Sequence, residues 1–194
     1  MNKIYAFDFD GTLTRRDTLL EFIRYTCGNK AFCKGFLRYS PLLVLMKLGQ
    51  YPNWKVKQKV FAYFFKGMPL KDFDQQGRLF ALDNQHLLRP KGVDMVKKAQ
   101  AEDAEVLIVS ASIDNWVKPF FHGVKVVGTQ VEVKDGRLTG RFLTRNCYGQ
   151  EKVNRILAIF PHRNEYELIA YGDSAGDKEM LAFADEAHYK PFRV

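Results

Sequence analysis

The chain has 194 residues, of which 46% are hydrophobic, 14% aromatic and 27% charged. That mixture suits one globular core domain with room for an insertion, and it excludes disordered and fibrous classes. No apolar run approaches the about 20 residues of a membrane-spanning helix. Asp8 and Asp10 fall where a signal peptide would continue its apolar region, so a cytoplasmic protein is expected. Cys27, Cys33 and Cys147 make an odd count without a C-x-x-C pair, which fits reduced thiols rather than a disulfide frame or a zinc site.

The net charge of +8 is uneven along the chain. Arg15 to Asn84 holds 13 Lys/Arg and 5 Asp/Glu, and the remainder holds 17 of each. Between Glu21 and Asp72 there is no acid, but there are ten bases and eleven aromatics. This shift marks a basic module, residues 15–84, inserted into a neutral α/β domain formed by residues 1–14 and 85–194. An acid-free surface suits an anionic partner: a phosphorylated substrate, an anionic lipid surface or a nucleic acid. The plain alternative is a basic solvated surface over an aromatic core.

In chain order, Lys3 to Phe9 reads as a buried strand. Thr18 to Phe65 has helical spacing. Ser40-Pro41 predicts a helix start, with Ser40 as N-cap and Gly49 closing a helix over 42–48. Asn53 predicts the cap of a helix reaching about Phe65. Leu70 to about Leu87 and Gly92 to Gln100 are predicted helical. Val106 to Val109 is an apolar strand ending at Ser110, Asp114 to Phe121 a short helix, and Val124 to Val127 another strand. Asp135-Gly136 between alternating runs predicts a β-hairpin. Gln150 to Phe160 is helical, Glu167 to Tyr171 a strand, Asp177 to Ala184 a short helix, and Ala187 to Tyr189 a last strand. Alternating strands and helices predict a mainly parallel sheet flanked by helices, Rossmann-like, with ligands at the carboxyl ends of its strands.

Four features fall at those ends. Asp8-Phe9-Asp10-Gly11-Thr12 follows the first strand, Ser110 ends the second, Lys152 opens a helix, and Gly172-Asp173 with Asp177 follows a later strand. Converging carboxylates repel one another unless a hard cation neutralises them. Mg²⁺ takes a couple of carboxylates plus water and substrate phosphate. A carboxylate can attack phosphorus, a lysine can balance the charge, and a serine at a strand-to-loop turn can bind phosphate oxygens.

This ordered set resembles the four motifs of the haloacid dehalogenase superfamily. Gly149-Gln150-Glu151-Lys152 and Gly172-Asp173-Ser174 are similar to its phosphoserine-phosphatase-like branch, subclass IB, and the insertion resembles that branch's helical C1 cap. The resemblance implies Asp8 as nucleophile and Asp10 as acid and base. It implies Mg²⁺ held by Asp8, the main-chain carbonyl of Asp10 and Asp173, with Asp177 in support. Ser110 and Lys152 would hold the phosphoryl group. Gly11, Thr12, Ala111 and Ser112 are expected as substrate contacts, with Asp17 as the acid of the insertion.

The implied reaction is phosphomonoester hydrolysis of a small phosphorylated metabolite. Phosphoserine itself is not expected. Gly11 and Gly176 stand where that branch has Ser and Asn, and Asp17 where it has the longer Glu. The alternative is a lipid phosphate, reached at a membrane through the segment Phe32 to Leu48. Transfer to a sugar hydroxyl instead of water stays open, and a nucleic-acid-binding module is disfavoured for want of a recognition motif. His86, His122, His162 and His188 show no ligand spacing, and Cys147 reads as packing.

Overall fold

Strand β1 (Asn2–Phe7) is the centre of the molecule. It pairs in parallel with β2 (Glu105–Ile113) on one side and β6 (Tyr166–Gly172) on the other. Strand β3 (Lys125–Thr129) extends the sheet beyond β2, and β7 (Glu186–Tyr189) extends it beyond β6. Every pairing in this five-stranded sheet is parallel. The computed structural model that shows this describes residues 2–193.

A parallel strand covered on both faces is apolar throughout, and the runs Ile4–Phe7 and Val106–Val109 are fully buried. Tyr5, Phe7, Ile108 and Tyr171 face one core, to which α4 (Pro90–Ala101) brings Val96 and Ala99. Ile4, Ala6, Leu107 and Ala170 face the other, covered by Ile156 of α6 (Gln150–Ile159) and Met180 of α7 (Lys178–Phe183). The chain leaves β1 for β2 and β3, then crosses to β6 and β7. The sheet's order therefore reverses at β1, and a crevice opens at its carboxyl end.

Between β1 and β2 the chain forms α1 (Thr18–Lys47), α2 (Asn53–Phe65) and α3 (Leu70–Asp83). Its two crossings run side by side. Arg15 N–H donates to Leu87 O at 2.8 Å, and Arg89 N–H to Leu13 O at 2.8 Å. The predicted helix start at Ser40-Pro41 does not occur, because α1 runs through it. Pro41 has no N–H for the carbonyl of Leu37, and the Ser40 hydroxyl supplies that carbonyl a donor at 2.8 Å instead. The change of direction falls at Gly28, whose φ of +78° interrupts the helix. Asn53 is the first residue of α2 rather than its cap. Pro52 caps it, its carbonyl accepting from Lys55 and Val56 N–H. Helix α3 stops at Asp83, and Gln85–Leu87 make a separate 3-10 turn.

The hairpin of β4 (Val131–Lys134) and β5 (Arg137–Phe142) turns at Asp135 and Gly136, both with positive φ. It lies in the sequence segment assigned to the sheet domain, yet it packs on the inserted helices. Gly67 N–H donates to Leu138 O at 2.8 Å, Leu138 N–H to Met68 O at 2.9 Å, and Leu70 N–H to Gly136 O at 2.9 Å. At Gly140 a Cβ would lie 2.8 Å from that of Ala62, so only glycine lets the hairpin approach α2 this closely.

The aromatic richness of the insertion is largely core. Phe22, Phe61, Phe65, Phe73 and Phe80 are fully buried around Trp116 of α5 (Asp114–Val117). Phe22 stacks on Trp116 at 4.7 Å, and the Trp116 indole N–H donates to Thr18 Oγ1 at 3.1 Å. Trp116 thus joins the inserted helices to the sheet. Trp116→Ala is expected to destabilise the protein by about 3–5 kcal/mol. A urea titration checks this as a lower midpoint at unchanged slope. A loss below about 1 kcal/mol, the usual range for surface substitutions, would show that the aromatic cluster does not couple the two layers.

Candidate active site

Asp8 is fixed where β1 ends, its N–H donating to Tyr171 O at 2.8 Å. The chain then makes one wide turn over Phe9–Leu13. Gly11 sits in it with φ +86°, and a Cβ there would come within 2.5 Å of Asp173 Oδ2. Glycine is therefore dictated by the approach of the β6 carboxylate. The Thr12 hydroxyl lies between Asp8 Oδ2 at 3.1 Å and Asp173 Oδ1 at 3.2 Å. One hydroxyl proton serves one of these carboxylates at a time, and each also faces a cation, Lys152 at Asp8 and Arg193 at Asp173.

Lys152 enters from the first turn of α6. The start of that helix is tied to the loop after β6 by Gly149 N–H donating to Gly176 O at 2.8 Å. Lys152 is 1% exposed, and its ammonium spends all three donors: on Asp8 Oδ1 at 2.6 Å, Asp177 Oδ1 at 2.6 Å and Val109 O at 2.8 Å. Burial alone would lower its pKa, but the two carboxylates outweigh burial and raise it. Burial opposes ionisation of Asp177 too, yet Lys152 and hydrogen bonds from Ser174 hold its carboxyl below the usual range. Asp8 is the uncompensated member. Burial, with the nearby Asp177 charge, pushes it up to about 7 against the pull of Lys152.

Asp10 faces differently. Its Oδ1 accepts from Thr18 N–H at 2.7 Å and Thr18 Oγ1 at 2.6 Å, and its Oδ2 from the Ser112 hydroxyl. Burial raises its pKa as well. Two carboxyls two residues apart are thus held in separate environments, one against an ammonium and one against hydroxyls. Ser110 is fully buried at the end of the apolar part of β2, and its Oγ accepts from Ser112 N–H at 3.0 Å.

These groups share a cavity of about 400 Å³ beneath the inserted helices. Asp8, Asp10, Asp17, Ser110, Ala111, Lys152 and Asp177 line it, so the structure brings most of the sequence-predicted residues together. Thr12 and Ser112 reach it through their bonds to Asp8 and Asp10. Asp17 spends one oxygen on the start of α1, accepting from Leu19 N–H at 3.0 Å and Leu20 N–H at 3.3 Å. Cys147 is buried packing, its thiol pushed up to about 11 by burial. Among the described residues, no histidine lines the cavity.

Sequence reasoning missed three contributors. Lys57 of α2 reaches down to Ala111 O at 2.6 Å. Its signal was helical phase, since it lies three residues before buried Val60 and four before buried Phe61. Tyr148 closes the cavity wall beside Gly176. Arg193, near the end of the chain, donates to Asp173, a contact no local pattern announces.

The carboxylates fit a hard cation. Asp8, Asp173 and Asp177 each offer an oxygen within 4.8 Å of the others, and all three are buried. Oxygen donors of this kind suit Mg²⁺ or Ca²⁺ rather than zinc. Both Asp177 oxygens are already engaged, one by Lys152 and one by Asp173 N–H and Ser174. The oxygens of Asp8 and Asp173 are engaged as well, by Lys152, Thr12 and Arg193; these two carboxylates, joined across the Thr12 hydroxyl, would hold the ion, with Asp177 fixing the loop that carries Asp173. The Asp10 carboxylate is turned to Thr18 and Ser112, which leaves its main-chain carbonyl for any such role.

Comparison with known proteins gives the family and the fold. The profile of the haloacid dehalogenase-like hydrolases matches residues 5–182. Protein CicA of Caulobacter vibrioides is 36% identical over 195 aligned residues, covering 98% of this chain and 86% of its own. A protein of unknown function from Bordetella pertussis Tohama I superposes with a TM-score of 0.80 at 21% identity, over 95% of this chain and 88% of that one. A substrate-bound phosphoserine phosphatase superposes with a TM-score of 0.66 at 19% identity, over 95% and 83%. The last two likenesses concern the fold. By a profile that spans most of its length, the chain belongs to the haloacid dehalogenase-like hydrolases.

Proposed function

We propose that this chain is a Mg²⁺-dependent phosphomonoester hydrolase that works through an aspartyl-phosphate at Asp8. The observation that carries this is the pair of buried carboxyls at one cavity floor, Asp8 against Lys152 and Asp10 against Thr18 and Ser112. Two titratable groups in different environments suit different roles. An Asp8 oxygen attacks phosphorus as the bond from phosphorus to the leaving oxygen breaks, and the Asp10 carboxyl gives its proton to that oxygen. Asp10, now a carboxylate, takes a proton from water. That water attacks phosphorus, phosphate departs, and Asp8 is regenerated.

Lys152 stays beside Asp8 and offsets the negative charge, while Ser110 holds a phosphoryl oxygen. Mg²⁺, held by Asp8 and Asp173, would neutralise phosphate charge in the same way. The inserted helices over the cavity exclude water from the reacting atoms. With purified protein and Mg²⁺, phosphate release from p-nitrophenyl phosphate is expected, and to be abolished by chelation. Asp8→Asn should lower it by more than about 1,000-fold. Undiminished release by Asp8→Asn would remove the nucleophile assignment.

A second reading of the substrate has its own observation. Leu37, Val44, Leu45, Leu48 and Trp54 are exposed on α1, the following turn and α2, interleaved with Lys34, Arg38, Lys47 and Lys55. Apolar and basic side chains together suit an anionic membrane surface, where a lipid phosphate would be met. No helix among the described residues is long and apolar enough to cross a membrane. The buried aromatic cluster, by contrast, leaves few rings for stacking nucleic-acid bases. The intact protein is expected to sediment with vesicles rich in phosphatidylglycerol at low salt and to dissociate at high salt. Absence of binding at low salt would leave the soluble metabolite as the substrate class.

A further inference from the structure

The cavity contains an ammonium that the proposed chemistry does not use. Two cations line it, Lys57 and Lys152. Lys152 has spent its three donors on Asp8, Asp177 and Val109 O. Lys57 has one protein hydrogen bond among the described residues, to Ala111 O, and two donors remain. Withdrawal from bulk water pulls its pKa below the usual lysine value, while Asp17 and Asp10 resist the change. Lys57 is half-buried and makes no ion pair among the described residues, so its ammonium is open to an arriving anion.

The cavity also has an apolar wall. Phe36, Leu43 and Met46 of α1 and Val56 and Val60 of α2 line it. A leaving group made only of hydroxyls or charges would hold these side chains against polar atoms. An apolar body would cover them and displace water. Asp10 is bonded to Thr18 and Ser112, and Asp17 to the N–H groups of Leu19 and Leu20, so both carboxylates have partners other than Lys57.

We propose that the phosphoryl group is taken from an amphiphile whose leaving group carries a second anionic group, bound by Lys57, and an apolar body, bound between α1 and α2. This rests on the phosphomonoesterase reading above and names the substrate class for the same site. Lys57 is then a specificity-determining residue. A lipid held in a bilayer and a soluble acyl-chain ester share this chemistry.

Four phosphomonoesters separate the two features: isopropyl phosphate with neither, lactate phosphate ester with the carboxylate, sec-decyl phosphate with the chain, and α-hydroxydecanoate phosphate ester with both. Each feature should raise kcat/KM by about tenfold or more. Lys57→Met should collapse the lactate-to-isopropyl ratio while keeping the decyl-to-isopropyl ratio, and Lys57→Arg should restore part of the first. Leu43→Asn with Met46→Gln should do the reverse.

Equal loss on all four esters in Lys57→Met would mean that Lys57 holds the phosphoryl group, and would overturn the proposal. Flat wild-type rates across the four would overturn it while leaving the hydrolase reading intact. Calorimetric binding of the four to Asp8→Asn gives the same ranking without turnover, so a failed reaction and a failed specificity are told apart. The α-hydroxydecanoate ester, supplied free and embedded in phosphatidylcholine vesicles, distinguishes the sources: faster turnover from vesicles assigns a bilayer substrate, and faster turnover in solution a soluble one.

Discussion

One buried ammonium organises this molecule. Lys152 brings three separate strand ends to a point by bonding to Asp8 after β1, Val109 O in β2 and Asp177 beyond β6. Desolvating it costs several kcal/mol, and two carboxylates with one carbonyl offset that cost only in this geometry. The same arithmetic of charge leaves a surplus. With Lys152 on Asp8 and Asp177 and Arg193 on Asp173, two cations face three buried carboxylates, and the one negative charge left over suits a hard cation. Small residues make the convergence sterically feasible. A Cβ at Gly11 would strike Asp173, and one at Gly172 would lie 2.5 Å from that of Asp177.

The layer above is built to a different rule. It is held to the sheet by aromatic packing around Trp116, by paired crossings at Leu13–Arg15 and Leu87–Arg89, and by Lys57 reaching Ala111 O. Hairpin β4–β5 adds main-chain bonds to the α2–α3 connection, so its motion is coupled to that of the helices. The carboxylates around Lys152 and the apolar wall of the cavity therefore belong to separate layers.

Much of the lower layer was legible in the sequence. Asp8, Asp10, Lys152, Asp173 and Asp177 each sit at a strand end or helix start, where position follows from local pattern, while Ser110, expected at the end of its strand, lies inside β2, which runs on to Ile113. The parallel sheet followed from the same alternation. What was not legible depended on distant partners. Ser40-Pro41 carries a local helix-start signal, but the Ser40 hydroxyl repairs the bond that Pro41 removes and the helix continues. The hairpin was readable from Asp135-Gly136, while its docking on α2 depended on Gly140 meeting Ala62. Lys57 looked like one of several surface lysines in Trp54-Lys-Val-Lys-Gln-Lys until the helix phase placed it over the cavity. Arg193 reaches Asp173 across a loop that no periodicity describes.

The account turns on covalent chemistry at Asp8, and the most direct test is to look for the adduct. Protein mixed with excess substrate and Mg²⁺ would be quenched in acid within the first turnover, digested, and its peptides mapped by mass spectrometry. The account predicts one phosphoryl group on the Asp8 peptide, accumulating further in Asp10→Asn with p-nitrophenyl phosphate, whose leaving group departs without a proton while activation of water is lost. Phosphate released with no phosphoryl group on Asp8 at any time, or with one on another residue, would contradict it.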